Sequence, residues 1–359
     1  MNQAALELDH PATDRADRTG FDIGWDHAHH GLVPGAELLH EGTPVCQGWM
    51  AGRAVFGRRT MASSRATRQW LQLRTWAWRQ GAAFEGQQVT PNYVAQLQTT
   101  HCPVLRTPLG GVATQPDAAV IERINPLAAY AAGNLATLSQ QAARTGAGMD
   151  VAQAVRQARA IEEGETVESG LDAAAWWRLA VLRSFATPLP FSESARLPLA
   201  LLPPNRVRLL NAPQGLQALV TTLFTAPGWA TRCRRLAELL PEPALRQDFN
   251  LFVGALAPRV LEAGSDARAL RHALEDAWLQ ERVQRRWQRF VFNLGETGTE
   301  ALLERATADG LTGKRTLSHA REQAIEGWAL LDGGRAPRPH AAAGFVRVRR
   351  AAAAPRLAC

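Results

Sequence analysis

At 359 residues, with 46% hydrophobic residues and eleven tryptophans, the chain holds enough apolar material for a large core, which excludes a disordered protein. Its net charge of +7 is local: residues 333–359 carry Arg335, Arg338, Arg347, Arg349, Arg350 and Arg356 and no acid, which leaves 34 basic against 33 acidic side chains, a net of +1, elsewhere. Cys46, Cys102, Cys233 and Cys359 lie far apart with no CxxC pair, so neither a disulfide framework nor a structural zinc site is expected.

Taken in order, the first twenty residues are polar and aperiodic and predict a mobile acidic arm. The start has no basic stretch followed by an apolar run, and no apolar segment reaches the roughly 18–20 residues that cross a bilayer. A cytoplasmic location without membrane contact is expected. From Phe21 to Gly57 the chain is rich in Gly, Pro and His, which predicts an irregular wrapped segment. Its histidines His27, His29 and His30 have a spacing that can bind a transition metal, but no carboxylate or cysteine partner stands beside them, and an exposed loop is the preferred reading. From Gly42 to Phe84 there are seven arginines and no acid.

Ser64 to Gln80 reads as a helix. Ala66, Trp70, Leu73 and Ala77 fall on one face, while Arg68, Gln72, Thr75 and Arg79 share the other, and Gly81 follows as a stop. Arg68 and Arg79 are candidate phosphate contacts on an otherwise ordinary solvated face. Thr90-Pro91 begins a short helix through Leu97.

Beyond residue 150 the pattern is helical. Ser169 and Asp172 predict a capping box ahead of the apolar run LDAAAWWRLAVLRSF. Pro188 to Pro213 reads as an irregular proline-rich crossing, with Asn211 placed to cap the next helix. Leu216, Leu219, Val220, Leu223 and Phe224 form the apolar stripe of that helix. Two amphipathic helices follow, the second ended by Pro258; Cys233 reads as a core residue of the first. Asp266 to Leu294 is the longest periodic run, with Glu281 spaced to pair with Arg285. A last helix is expected near His319–Leu331, before a disordered Ala/Arg/Pro tail.

The one stretch that suggests chemistry runs from His101 to Gly148. Cys102-Pro103-Val104-Leu105-Arg106-Thr107-Pro108-Leu109 precedes Val120-Ile121-Glu122-Arg123-Ile124-Asn125. Then come Ala129-Tyr130-Ala131-Ala132-Gly133-Asn134-Leu135 and Ser139-Gln140-Gln141-Ala142-Ala143-Arg144. These pieces, in this order, resemble the HNH or ββα-metal endonuclease motif over about 45 residues. The resemblance implies a β-hairpin followed by a helix, a Mg²⁺ ion held by Glu122, and a role for Asn134 in fixing the hairpin or orienting a base. It also implies contacts to nucleic acid from Arg106, Arg123 and Arg144. The sequence departs from the motif at decisive positions. Arg123 stands where the general-base histidine belongs and cannot accept a proton at working pH, and Ala143 stands where the helix offers a second ligand. Gly133-Asn134 also reads as a turn entering a helix, with glycine for backbone freedom and asparagine as cap. Adjacent His101 and Cys102 on extended chain point to opposite faces, which argues against a thiol nucleophile. Gly313-Lys314-Arg315 lacks the first glycine of a phosphate-binding loop.

The expectation is a mainly α protein: an arm over 1–20, an N-terminal module over 21–149 containing the ββα motif (101–148), an α-helical domain over 150–334, and a basic tail over 335–359. Its expected role is that of a nucleic-acid-associated protein with a degenerate, non-catalytic HNH-like module. A Mg²⁺-dependent nuclease using Glu122 and Asn134, and a protein-interaction scaffold, are the alternatives.

Overall fold

The computed structural model describes residues 13–112, 114–165, 170–262, 266–311 and 324–336. The chain is mainly helical, with thirteen α-helices and one two-stranded sheet among the described residues, and it divides after Met61 into two units.

The first unit is a pair of helices, α1 (Thr13–His29) and α2 (Pro44–Phe56), where an arm and an irregular segment were expected. Composition misleads here because its glycines sit at the helix contact. A Cβ on Gly48 would lie 1.9 Å from the Phe21 carbonyl oxygen, and one on Gly24 equally close to that of Val45. Backbone-to-backbone approach outweighs the low helix propensity of glycine. Thr43 caps α2 by accepting the Cys46 N–H. His27 is buried with Nδ1 on the Ile23 carbonyl, and His29 stacks on Phe56 with its ring 5.3 Å from that of His30. Among the described residues no His, Cys, Asp or Glu cluster has the form of a metal site.

The second unit, Ala62–Ala336, begins with α3 (Arg65–Arg79), capped by Ser64, and α4 (Pro91–Gln96), capped by Thr90; both follow the sequence pattern. Strands β1 (Ala119–Arg123) and β2 (Leu135–Ser139) pair antiparallel, with Glu122 opposite Ala136, and α5 (Gln140–Thr145) follows directly. The order strand, strand, helix is the one the motif implied. The Gly133-Asn134 pair opens β2, however, and it is Ser139 that caps α5 by accepting the Ala142 N–H.

Both faces of this small sheet are covered, so every residue of β2 is buried. Leu135 and Ile121 pack with Leu73, Ala77, Val94 and Leu97 of the α3–α4 layer. Val120, Ala136 and Leu138 face the larger helical core instead. That core is built on α6 (Val151–Glu162) and α7 (Ala173–Phe185). Asp172 alone caps α7, accepting the Ala175 N–H; its expected partner Ser169 lies outside the described residues. A six-residue helix, α8 (Phe191–Arg196), interrupts the crossing that the prolines seemed to forbid, since no proline falls inside it. Helix α9 (Ala212–Phe224) buries the expected stripe. Asn211 precedes it without capping it; its amide binds the carbonyls of Ser184 and Thr187.

Helix α10 (Trp229–Glu238) leads to α11 (Pro243–Glu262), which runs through Pro258 for another turn instead of ending there. The long periodic run is two helices, α12 (Ala267–Ala277) and α13 (Glu281–Ala308), broken at 278–280; α13 kinks at Gly295 (φ 73°). Phe252, Trp278 and Trp287 meet at their junction with ring centroids 5.3–5.4 Å apart. One core thus joins Cys102 to Trp328, and no boundary falls at residue 149. The expected helix near His319 lies largely outside the described residues; Leu330–Asp332 is a 3₁₀ turn. The basic tail lies outside them, apart from Arg335.

Candidate nucleic-acid interface

Two neighbouring sets of residues bear on function in the second unit: the ββα motif and the cleft beside it.

In the motif, Cys102 to Thr107 form a tight turn. The Cys102 N–H donates to the Thr107 carbonyl at 2.8 Å and the Arg106 N–H to the Cys102 carbonyl at 2.7 Å. The buried sulfur accepts from the N–H groups of Leu105 and Ser139 and from the Ser139 hydroxyl, at 3.3–3.5 Å, which pins the turn to the end of β2. Asn134 is wholly buried. Its Oδ1 accepts the Asn125 N–H, and its Nδ2 donates to the carbonyls of Asn125 and Ala129. It therefore staples the 125–134 loop and has no amide proton left for a ligand. Gly133 holds φ 91°, and a Cβ there would strike the Arg208 side chain at 2.4 Å, so glycine is required twice over.

Glu122 is half-buried on the sheet face turned to the helical core. Burial pushes its carboxyl above the ordinary value, while the guanidiniums of Arg183 and Arg123 act in the opposite direction. Arg183 is buried in turn and donates to the carbonyls of Arg123, Ile124 and Gly146, each at 2.8 Å. Arg123 donates to the Ala128 carbonyl and lies over the Tyr130 ring at 4.8 Å. A hard divalent cation needs several oxygen ligands and an excess of negative charge. One partly buried carboxyl between two guanidiniums, beside an amide already engaged, does not fit Mg²⁺. His101 bonds Thr100 and Arg268.

The candidate arginines stand in different settings. Arg68 bonds Ser63 on exposed α3, Arg79 is exposed at the end of the same helix, and Arg144 is exposed in the last turn of α5. Arg106 enters the cleft but is engaged there. Its guanidinium grips both oxygens of Asp276, at 2.7 and 2.8 Å, and one oxygen of Glu275 at 3.1 Å.

The cleft has a volume of about 1110 Å³ and is walled by residues 88–106, 132–137, 201–208 and 267–275. Among the described lining residues, Arg106, Arg206, Arg208, Arg268 and Arg271, with His101 and His272, face one carboxylate, that of Glu275, with Asp276 next to it on Arg106. The Glu275 carboxylate is 1% exposed and is consumed by Arg106, Arg271 and the Leu202 N–H. Arg208 reaches Gln88 and the Ala324 carbonyl. Burial, followed by the charge of Arg106, lowers the pKa of His272. The arginine excess remains, and such a field attracts polyanions.

Of this set, the sequence singled out only Arg106 and His101. Arg206 and Arg208 belong to PPNRVR in the proline-rich crossing, and Arg268, Arg271 and His272 begin α12. An arginine directly after a Pro-Pro-Asn turn was the one local signal. The rest depends on bringing together four segments spread over residues 88–275.

No protein-family model, curated protein or solved structure matches the chain. Among the described residues no helix is long and apolar enough to cross a membrane.

Proposed function

We propose that this is a nucleic-acid-associated protein built around a degenerate, non-catalytic HNH-like module. The observation that carries this reading is the arginine-lined cleft beside the module, where the one carboxylate among the described lining residues, Glu275, is paired with two guanidiniums. Phosphate contacts supply most of the affinity of such surfaces and make it fall with salt. The engagement of Arg123 with Ala128 and Tyr130, at the position where a base is needed, supports loss of catalysis.

Purified protein should retard DNA or RNA in an electrophoretic shift assay at about 50 mM salt and lose that binding steeply as salt rises. No shift at the low-salt end would sink the proposal. In parallel, plasmid incubated with the protein and Mg²⁺ or Mn²⁺ should stay intact. Cleavage that is abolished by Glu122→Ala would instead establish the nuclease alternative.

A further inference from the structure

Three described non-glycine residues hold positive φ, and two of them, Arg106 (61°) and Arg206 (67°), line the same cleft. The guanidinium of Arg106 is spent on Asp276 and Glu275. Arg206 differs in this respect. It is exposed and makes no hydrogen bond or ion pair with any described residue.

Arg206 is the third residue of a turn closed by the Val207 N–H on the Pro204 carbonyl at 3.2 Å. A left-handed residue at that place in a turn is ordinarily glycine or asparagine. A long β-substituted side chain is disfavoured there, and such outliers gather where a site uses the side chain they present. Pro204 and the Asn205 amide, bonded to the Gln96 carbonyl, hold the turn in place. The chain thus accepts backbone strain to hold an unpaired cation at the cleft.

The cleft is also narrow. Asn205 reaches Gln96 from one wall to the other, and Arg268 reaches His101 at 2.7 Å. Walls close enough to be bridged by single side chains leave no room between them for a double helix. One strand of a few nucleotides suits the volume. Among the described lining residues the aromatic rings are Tyr93, whose hydroxyl accepts the Gly133 N–H, and the imidazoles of His101 and His272, so arginines outnumber stacking platforms and phosphate contacts lead.

We propose that Arg206 grips a phosphate of a single nucleic-acid strand lying in this cleft, an assignment that rests on the nucleic-acid reading above. The test is fluorescence anisotropy of the full chain with a labelled twelve-nucleotide DNA, the same sequence as RNA, and the corresponding duplex, at about 50 mM salt. The single strands should bind more tightly than the duplex, and comparing DNA with RNA identifies which strand is preferred. Arg206→Gly suits the turn and removes the cation. It should weaken single-strand binding about tenfold and lower the salt slope by about one, without lowering the melting temperature. Arg285→Ala, which removes an exposed cation elsewhere, should leave affinity unchanged. If no nucleic acid binds the unaltered chain, the nucleic-acid reading falls and this assignment with it. Preference for the duplex overturns the single-strand assignment. Unchanged binding by Arg206→Gly, or equal weakening by Arg285→Ala, overturns the role of Arg206 while leaving the nucleic-acid reading standing.

Discussion

At Glu122 a carboxyl sits in a half-buried position where its neutral form is favoured, and that has a consequence for stability. Its pKa is raised in the folded chain by burial, against the pull of Arg183 and Arg123. The folded state therefore holds the proton more tightly than the unfolded state does. The stabilisation from this group is complete below the unfolded carboxyl pKa, about 4.3, and is lost as pH climbs through the raised folded value. Glu122→Gln should flatten that part of the stability–pH curve and make the protein more stable at neutral pH; chemical denaturation across the acid range measures it. A metal-binding role predicts the opposite, because Mg²⁺ would then stabilise the unaltered chain and not the variant. Asn134 illustrates how a residue type can be legible while its use is not. The Gly-Asn pair announced a special turn, yet whether the amide faces a ligand or its own loop depends on Asn125 and Ala129, whose positions only the fold supplies.

Among elements, local signals were legible wherever a cap or a stripe is decided within a few residues. Helices start at Ser64 and Thr90 as expected, Asp172 itself caps α7 where a box with Ser169 was expected, and the apolar stripe of α9 is buried as its spacing predicts. The failures share a cause. Helices α1 and α2 were hidden because glycine lowers propensity, whereas here glycine permits contact between the two helices; tertiary packing decided the outcome. This can be tested with Gly48→Ala. A Cβ 1.9 Å from the Phe21 oxygen forces the pair apart, so α1 and α2 amides should lose hydrogen-exchange protection while those of α7 keep theirs. Retained protection in the pair would show that the close approach is dispensable. The cleft was illegible for a different reason: its walls come from four segments, and no periodicity links them.

For the whole second unit, Glu275 is the point at which distant segments are tied together. Its buried carboxylate joins the Arg106 turn, the backbone at Leu202 and Arg271 of its own helix, across 169 and 73 residues of sequence. Without Glu275, Arg106 keeps Asp276, while Arg271 and the buried Leu202 N–H lose this acceptor. Glu275→Ala should therefore lower unfolding stability by about 1–3 kcal/mol. Glu275→Gln, which keeps the volume and the acceptor for Leu202, should lose less, as urea titration would resolve. Equal stability of all three proteins would mean that the network is not what holds the cleft walls.

The Trp328 ring is wholly buried, its Nε1 donates to the Ala132 carbonyl 196 residues earlier in the chain, and its own carbonyl accepts the Ala129 N–H. The hairpin loop emerges early in synthesis but cannot satisfy its backbone until the last part of the unit has been made. At about 5–20 residues per second, that interval is roughly 10–40 s. Throughout it, the Ala129 N–H and the Ala132 carbonyl are left to water, although α3, α4, α6 and α7, which cover the strands, have already been made. A message truncated before Trp328 therefore yields a chain whose strands can be covered but whose hairpin loop is never tied down.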